Sequence, residues 1–427
     1  MRLIILFLFF LTQIVFAGTL SPTEKAIKEY IDNTRQAQLS LLEKLVNINS
    51  GTTNPEGVYQ VGKIVQRELD KLGFTTRWAE EPANMHKAGT LIAERNGNKG
   101  KRLLLIGHLD TVFPKDSKFQ QFIPEKHIAK GPGVIDDKGG VVVILAALKA
   151  LQAVNALDDR SITVVLTGDE EESGKPTSIS RKPLMDIARN TDVALDFEPT
   201  MTLDTATIGR RGISAWIITA HGNESHSATI FQKDVGDGAI FELSRILNTM
   251  RAKMAGGKDL TFNPGFVSGG TSVNFNNVSA QGTVFGKTNV VSKIAMAKGD
   301  YRYLTPDQKQ EFEQKLKHIV KEHLPGTKAE VVFEDGIPAM QPTKPNIALL
   351  SKYSQASEDL GMGRIKPFDP ALRGAGDISF VANIVPASLA GLGPMGIGSH
   401  SVIEAMEINS LPVQAKRAAV LIYRLTS

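Results

Sequence analysis

The chain has 427 residues, with 49 lysines and arginines against 45 aspartates and glutamates, a formal net charge of +4. At roughly 100–200 residues per domain this length fits two or three domains, and a composition 42% apolar and 22% charged excludes a disordered, collagenous or coiled-coil chain. So small a net charge gives no ground for expecting a nucleic-acid partner, and the absence of cysteine excludes disulfide scaffolds, thiolate metal sites and thiol nucleophiles.

Met1-Arg2 is a minimal basic start, Leu3 to Leu11 is almost unbroken apolar sequence, and small residues end the run at Ala17. This pattern predicts a secretory signal peptide over 1–17. A membrane anchor is the competing reading, but Thr12 and Gln13 interrupt the run, which is too short for a hydrocarbon core about 30 Å thick. No later segment is long and apolar enough to span, so a secreted or periplasmic protein, off the membrane after cleavage, is expected.

Ser21 to Val46 reads as one helix, with Ile27, Ile31, Leu39, Leu42 and Leu45 near helical spacing. Arg102 to Ile106 is a buried strand, Gly140 to Val154 a core helix apolar almost all round, and Ser161 to Leu166 and Thr191 to Leu195 two further strands. Strands alternating with helices predict an α/β fold with a mostly parallel sheet covered on both faces. Between Ile213 and Phe333 the strands alternate apolar and polar residues, as in ISAWIITAHG and AQGTVFGKT, which predicts an antiparallel sheet with one wet face. Thr305-Pro306-Asp307 starts a helix with Phe312, Leu316, Ile319 and Val320 as its apolar stripe, and Pro325-Gly326 ends it. The α/β texture returns near Gly336. The expected organisation is therefore an α/β domain over 18–209 and 334–427, with an α+β domain, 210–333, inserted into it.

The chemistry-bearing residues gather at the ends of the first-domain strands. One strand runs into His108-Leu109-Asp110, the next into Asp169-Glu170-Glu171-Glu172, and the third into Asp196-Phe197-Glu198. Ligands of open α/β sheets bind outside the carboxyl ends of the strands, and imidazoles with carboxylates suit zinc or a similar divalent ion. His108 and Asp110 lie two apart, so Asp110 can fix the imidazole tautomer while His108 binds metal. Asp136-Asp137 sits in a glycine-rich turn, where Asp136 can bridge two metals. Of the neighbours Glu170 and Glu171, one can bind metal while the other stays free as a general base. Asp196 competes with Glu198, and Gly396 to Ser401 presents His400 within a run of glycines.

The segments IGHLDTV, GPGVIDDKGG, TGDEEESG, LDFEPT and GIGSHS, in this order, resemble the di-zinc exopeptidase family of bacterial glutamate carboxypeptidase, aminoacylase and succinyl-diaminopimelate desuccinylase, from about residue 40 to the end. The resemblance implies a catalytic domain with an inserted dimerisation (lid) domain, and two zinc ions per subunit. It implies His108 and Glu198 as ligands of one zinc, Glu171 and His400 as ligands of the other, and Asp136 as the bridge. Glu170 becomes the general base and Asp110 the partner of His108, and a cis peptide is expected at Asp136–Asp137. The acidic run is three glutamates long, which leaves its register open.

In the inserted domain Ser225-His226-Ser227 resembles the family's histidine that reaches a neighbouring subunit's active site to stabilise an oxyanion. Asn289 in GKTNVV and Arg302 in DYRYLTP resemble residues that hold a substrate carboxylate, with Arg210 and Arg211 as weaker candidates. Gly391 to Gly396 matches a dinucleotide fingerprint literally but leads into no helix, and GTVFGKT falls one residue short of a phosphate loop. The expected function is a carboxypeptidase releasing a C-terminal amino acid, with Glu one candidate. The alternatives are an N-acyl-amino-acid amidohydrolase or dipeptidase, or a non-catalytic metal or peptide carrier. The expected partners are a peptide or N-acyl amino acid and a second copy of the chain.

Overall fold

The computed structural model describes residues 20–276 and 281–427, so the expected leader lies outside the described residues. A six-stranded sheet runs in the order Thr75–Ala79, Thr90–Arg95, Arg160–Thr167, Lys99–His108, Val193–Asp196 and Ala387–Leu389. The last four are mutually parallel, and the first two pair antiparallel at one edge, so the sheet is mixed with a parallel centre. Alternation along the central strand sends Leu103 and Leu105 to one face and Leu104 and Ile106 to the other. The first pair packs in the cluster of helices Lys138–Ala153 and Ser410–Thr426, the second with Leu184 and Ala188 of helix Lys182–Ala188 and with Ile378 and Val381. Helices therefore cover both faces, as the sequence pattern implies.

The single helix expected over 21–46 is two helices, Pro22–Asn33 and Arg35–Val46. Thr34 interrupts it at φ −105°, ψ 13°, with Oγ1 donating to the Tyr30 carbonyl at 2.8 Å. A threonine hydroxyl bonding backwards bends a helix. The break lets Ile27 and Ile31 from one piece and Leu42 and Leu45 from the other all reach the core.

A second sheet is antiparallel throughout, in the order Thr261–Gly270, Ile294–Tyr303, Gly212–His221 and Lys328–Ile337. Its apolar cluster is separate from those of the six-stranded sheet and is formed with helices Ala239–Met254 and Pro306–Lys321. Strand Gly212–His221 alternates buried and half-buried residues, burying Trp216, Ile218 and Ala220 under the helices. Phe312 of the expected stripe stacks on Tyr301, with ring centroids 4.3 Å apart. That helix stops at Lys321, before Pro325-Gly326, because the chain is already extended at Glu322. The last strand of this sheet continues to Ile337.

A small five-stranded sheet joins Ile123–Glu125, Ile128–Lys130, Ala405–Glu407, Gly393–Ile397 and Pro199–Thr200. The sequence pattern gave no sign of it. The glycine-rich run containing 391–396 lies in its strand Gly393–Ile397, and GTVFGKT begins in a hairpin strand, Gln281–Phe285, so neither forms a phosphate-binding turn into a helix. Among the described residues no helix is long and apolar enough to cross a membrane.

Thr305 Oγ1 accepts from Gln308 N and Gln308 Oε1 accepts from Thr305 N, a reciprocal cap at the start of helix Pro306–Lys321. Thr305→Ala should lower unfolding stability by about 1 kcal/mol in urea titration, and Thr305→Ser should restore most of it.

Candidate active site

Three adjacent parallel strands end on the same edge of the central sheet, so their outgoing segments must converge. Lys99–His108 delivers His108 and Asp110, Arg160–Thr167 leads to Asp169–Glu171, and Val193–Asp196 leads to Glu198. The small sheet supplies the rest. Its strand Ile128–Lys130 enters the turn holding Asp136, Gly393–Ile397 leads to His400, and Pro199–Thr200 anchors the chain beyond Glu198.

Asp136 lies between the two histidines. Its Oδ1 is 3.1 Å from His108 Nε2 and its Oδ2 is 3.2 Å from His400 Nε2. His400 Nε2 also lies 3.0 Å from Glu171 Oε2. His108, Asp136 and Glu171 bring ligand atoms within 4.8 Å of one another, and so do His108, Glu170 and Glu198. Glu172 points away, 67% exposed and 3.6 Å from Lys87 Nζ, which fixes the register of the acidic run with Glu170 and Glu171 facing inward.

Each of these side chains is held by groups behind it. Asp110, fully buried, lies 3.3 Å from His108 Nδ1 and accepts from Thr52 Oγ1 and from the backbone N–H groups of Glu170 and Glu171. It therefore ties the imidazole to the glutamate loop. Arg181, fully buried, spans Asp169 and Asp377 and donates to the Asp169 carbonyl and Ser173 Oγ, clamping the same loop. Glu404 accepts from the N–H groups of Gly133, Ile135 and Asp136, which holds the turn carrying Asp136 in place. The Asp136–Asp137 peptide is cis, as expected from the resemblance, and Asp137 Oδ2 accepts from His108 N.

Asp196 and Glu198 are both engaged by Arg210, at 3.2 and 2.6 Å. Asp196 therefore belongs to a buried ion-pair network, and it is Glu198 that lies with His108 and Glu170. Arg210 also donates to the carbonyls of Gly374 and Ala375, so it serves the site's own framework. Arg211 is turned to Thr261 Oγ1 and the Ala371 carbonyl. Arg373, which the sequence reading passed over, reaches Glu198 Oε2 at 3.2 Å. Its place beside Gly374-Ala375-Gly376, a segment able to fold closely around a site, is the one signal for it in the sequence. Arg181 and Asp377 stand in no motif that would have exposed them.

The inserted residues are arranged differently. His226 is exposed, and its Nδ1 accepts from Ala228 N. Ser227 N donates to the Asn289 carbonyl at 2.9 Å, so His226 and Asn289 share one edge of the inserted sheet's surroundings. Arg302 lies on strand Ile294–Tyr303 and pairs with Asp300 at 3.3 Å. Among the described residues none of these three makes a hydrogen bond to the His108–Asp136–His400 cluster.

The electrostatics of the cluster favour a cation. Burial, then repulsion from Glu198, pushes Glu170 well above the usual carboxylate range. Burial and Glu198 likewise raise Asp196 to about 7. Hydrogen bonds that the protonated His400 ring donates to Asp136 and Glu171 raise it to about 11, and His108 is raised against its own burial by Asp110 and Asp136. More carboxylates converge here than the two arginines and two imidazoles balance comfortably, a condition that divalent ions relieve. Oxygen and imidazole donors without thiolate suit zinc and related ions.

The chain is 31% identical over 401 residues to carboxypeptidase G2 of a Pseudomonas species, covering 91% of this chain and 89% of that protein. It is 26% identical over 392 residues to succinyl-diaminopimelate desuccinylase of Acidiphilium cryptum, covering 90% and 97%. Its fold is similar to that of aminopeptidase PepT from Bacillus cereus, with a TM-score of 0.73 at 17% identity over 92% of this chain and 99% of the other. The YXEP protein of Bacillus subtilis, described as a dinuclear metal-binding peptidase, matches with a TM-score of 0.63 at 14% identity over 92% and 99%. The model of peptidase family M20/M25/M40 matches residues 104–424, from the central strand into the last helix, and the chain belongs to that family of metallopeptidase hydrolases.

Proposed function

We propose that the protein is a di-zinc exopeptidase acting as a carboxypeptidase, which hydrolyses the amide bond before a C-terminal amino acid. The observation that carries this reading is the Asp136 carboxylate, with one oxygen turned to His108 and the other to His400. In it His108, Glu198, Glu171, His400 and Asp136 would hold the two ions. Bound there, the ions supply Lewis-acid activation of a water and of the scissile carbonyl. Glu170 accepts the proton of the attacking water and returns it to the leaving amine nitrogen. Its desolvated carboxylate sits beside His108 and Glu198 without an imidazole or arginine hydrogen-bonded to it, which keeps it free to exchange a proton. The carboxypeptidase direction is supported by the name of the relative at 31% identity. Removal of an acyl group from an N-acyl amino acid is the second reading, favoured by the desuccinylase that matches over 97% of its own length.

This reading includes export directed by the leader over 1–17. It also includes dimerisation through the inserted domain over 210–333, so that His226 stabilises the oxyanion in a neighbouring subunit while Asn289 and Arg302 hold a substrate carboxylate. Strand Thr261–Gly270 is one of the two edges of its sheet and exposes Val267, and the adjoining helix exposes Ile240 and Phe241. An unpaired edge beside apolar side chains favours pairing with a second copy.

Glu170→Gln should reduce kcat by roughly 10²–10⁴-fold for release of amino acids from pooled peptides and N-acyl amino acids, while leaving zinc content unchanged. Unimpaired turnover would overturn the role of Glu170. Chelator treatment should abolish release, and added zinc should restore it. Glu404→Ala removes the acceptor of three backbone N–H groups and should weaken zinc retention against a competing chelator, by more than Glu404→Gln, which keeps an acceptor. Light scattering on the mature chain should give twice the monomer mass, and a monomer would remove the role of His226 in a partner's site.

A further inference from the structure

We propose that Asp377 is a positioning residue that, through Arg181, fixes where the Glu170 carboxylate stands. The proposal rests on the reading of Glu170 as general base and Glu198 as a metal ligand, and adds what holds the two in relation. Among the described residues no side chain is hydrogen-bonded to the Glu170 carboxylate, so the backbone that carries it decides its place. The peptide plane just before its Cα, the Asp169–Glu170 unit, is rigid and is held at both ends. The Glu170 N–H donates to Asp110 Oδ1 at 3.0 Å, and the Asp169 carbonyl accepts from Arg181 Nη2 at 3.0 Å. Arginine carries five N–H donors, and Arg181 commits all of them. Nη2 also donates to Ser173 Oγ at 2.9 Å, Nη1 to Asp169 Oδ1 at 2.5 Å and to Ser180 Oγ, and Nε to Asp377 Oδ1 at 2.6 Å.

Of the residues that accept from Arg181, only Asp377 lies outside the segment 169–181, so it alone relates that guanidinium to the rest of the site. Its second oxygen accepts from Thr167 Oγ1 at 2.6 Å, and Thr167 closes the strand that feeds the glutamate loop. Arg181 and Asp169 are fully buried and Asp377 nearly so, which leaves no water to replace a lost acceptor. The residues just before Asp377 face the metal side. The carbonyls of Gly374 and Ala375 accept from Arg210 at 2.7 and 2.9 Å, and Arg210 Nη2 donates to Glu198 Oε2. Gly376 lies against the same carboxylate, since a Cβ there would run into Glu198 Oε1 and Arg210 Nη1. Segment 374–377 therefore touches Glu198 at one end and grips the base's loop at the other, and it sets their spacing. Groups placed this way act through geometry, and a small displacement of a base is expensive in rate.

The test measures kcat and KM per zinc-loaded molecule on a peptide or N-acyl amino acid that the wild type cleaves, with zinc content and thermal unfolding recorded on the same samples. Asp377→Ala should lower kcat roughly ten- to hundredfold, with KM and zinc content unchanged. Asp377→Asn, which keeps an oxygen for Arg181 Nε, should recover most of the loss. Thr167→Val, which removes only the hydroxyl behind Asp377, should lower kcat less than Asp377→Ala and serves in its place if that variant does not fold. Each change is then repeated in Glu170→Gln. A residue that acts through Glu170 has nothing left to position there, so the second substitution should cost no further kcat. A buried ion pair that serves the fold alone costs the same in both backgrounds. An equal further loss in Glu170→Gln, a rise in KM or a loss of zinc would overturn the proposal while leaving the proposed function standing. Full turnover by Glu170→Gln itself would instead remove the general base, and the proposed mechanism with it.

Discussion

The site depends on the mutual repulsion of carboxylates brought together by parallel strands. Adjacent strands of one direction place their ends side by side, so Asp110, Glu170 and Glu198 are forced into proximity by the backbone before any side chain is chosen. Burial then makes each charge expensive. The surrounding structure answers that expense. Arg210 and Arg373 stand against Glu198, Arg181 against Asp169 and Asp377, and the backbone N–H groups of Glu170 and Glu171 against Asp110.

These supports are not symmetric. The carboxylates of Asp110, Asp169 and Asp377 are fully committed to neighbours, which makes them scaffold. Glu170 is restrained through its backbone N–H, and the Glu171 side chain meets His400, so both carboxylates face the site. Such a division, with rigid groups behind and free groups in front, is what a pre-organised hydrolytic centre requires.

Much of this was legible in the sequence where a residue's role is set by its neighbours along the chain. His108 with Asp110, the Asp136-Asp137 turn and the Glu170-Glu171 pair sit at strand ends or in glycine turns, and the five motifs together identified the family. The helix cap at Thr305 was legible for the same local reason. What escaped is what depends on distant segments. Arg181 meets Asp377 across 196 positions, and Arg373 meets Glu198 across 175. No spacing rule reports such a pair. The break at Thr34 escaped because Ile27, Ile31, Leu42 and Leu45 keep an apolar pattern on both sides of it, and only a hydroxyl bond distinguishes two helices from one.

The small five-stranded sheet has a consequence for how the molecule comes into being. It stitches Ile128–Lys130 and Pro199–Thr200 to Gly393–Ile397 and Ala405–Glu407, and Glu404 beside it grips the Asp136 turn from 268 positions away. Contacts so remote in sequence form only after a large loss of chain entropy. Before residues 393–407 dock, the site has His108 and its glutamates but neither His400 nor the clasp on Asp136. The centre therefore has no finished form until residues 393–407 have docked against Ile128–Lys130 and Pro199–Thr200.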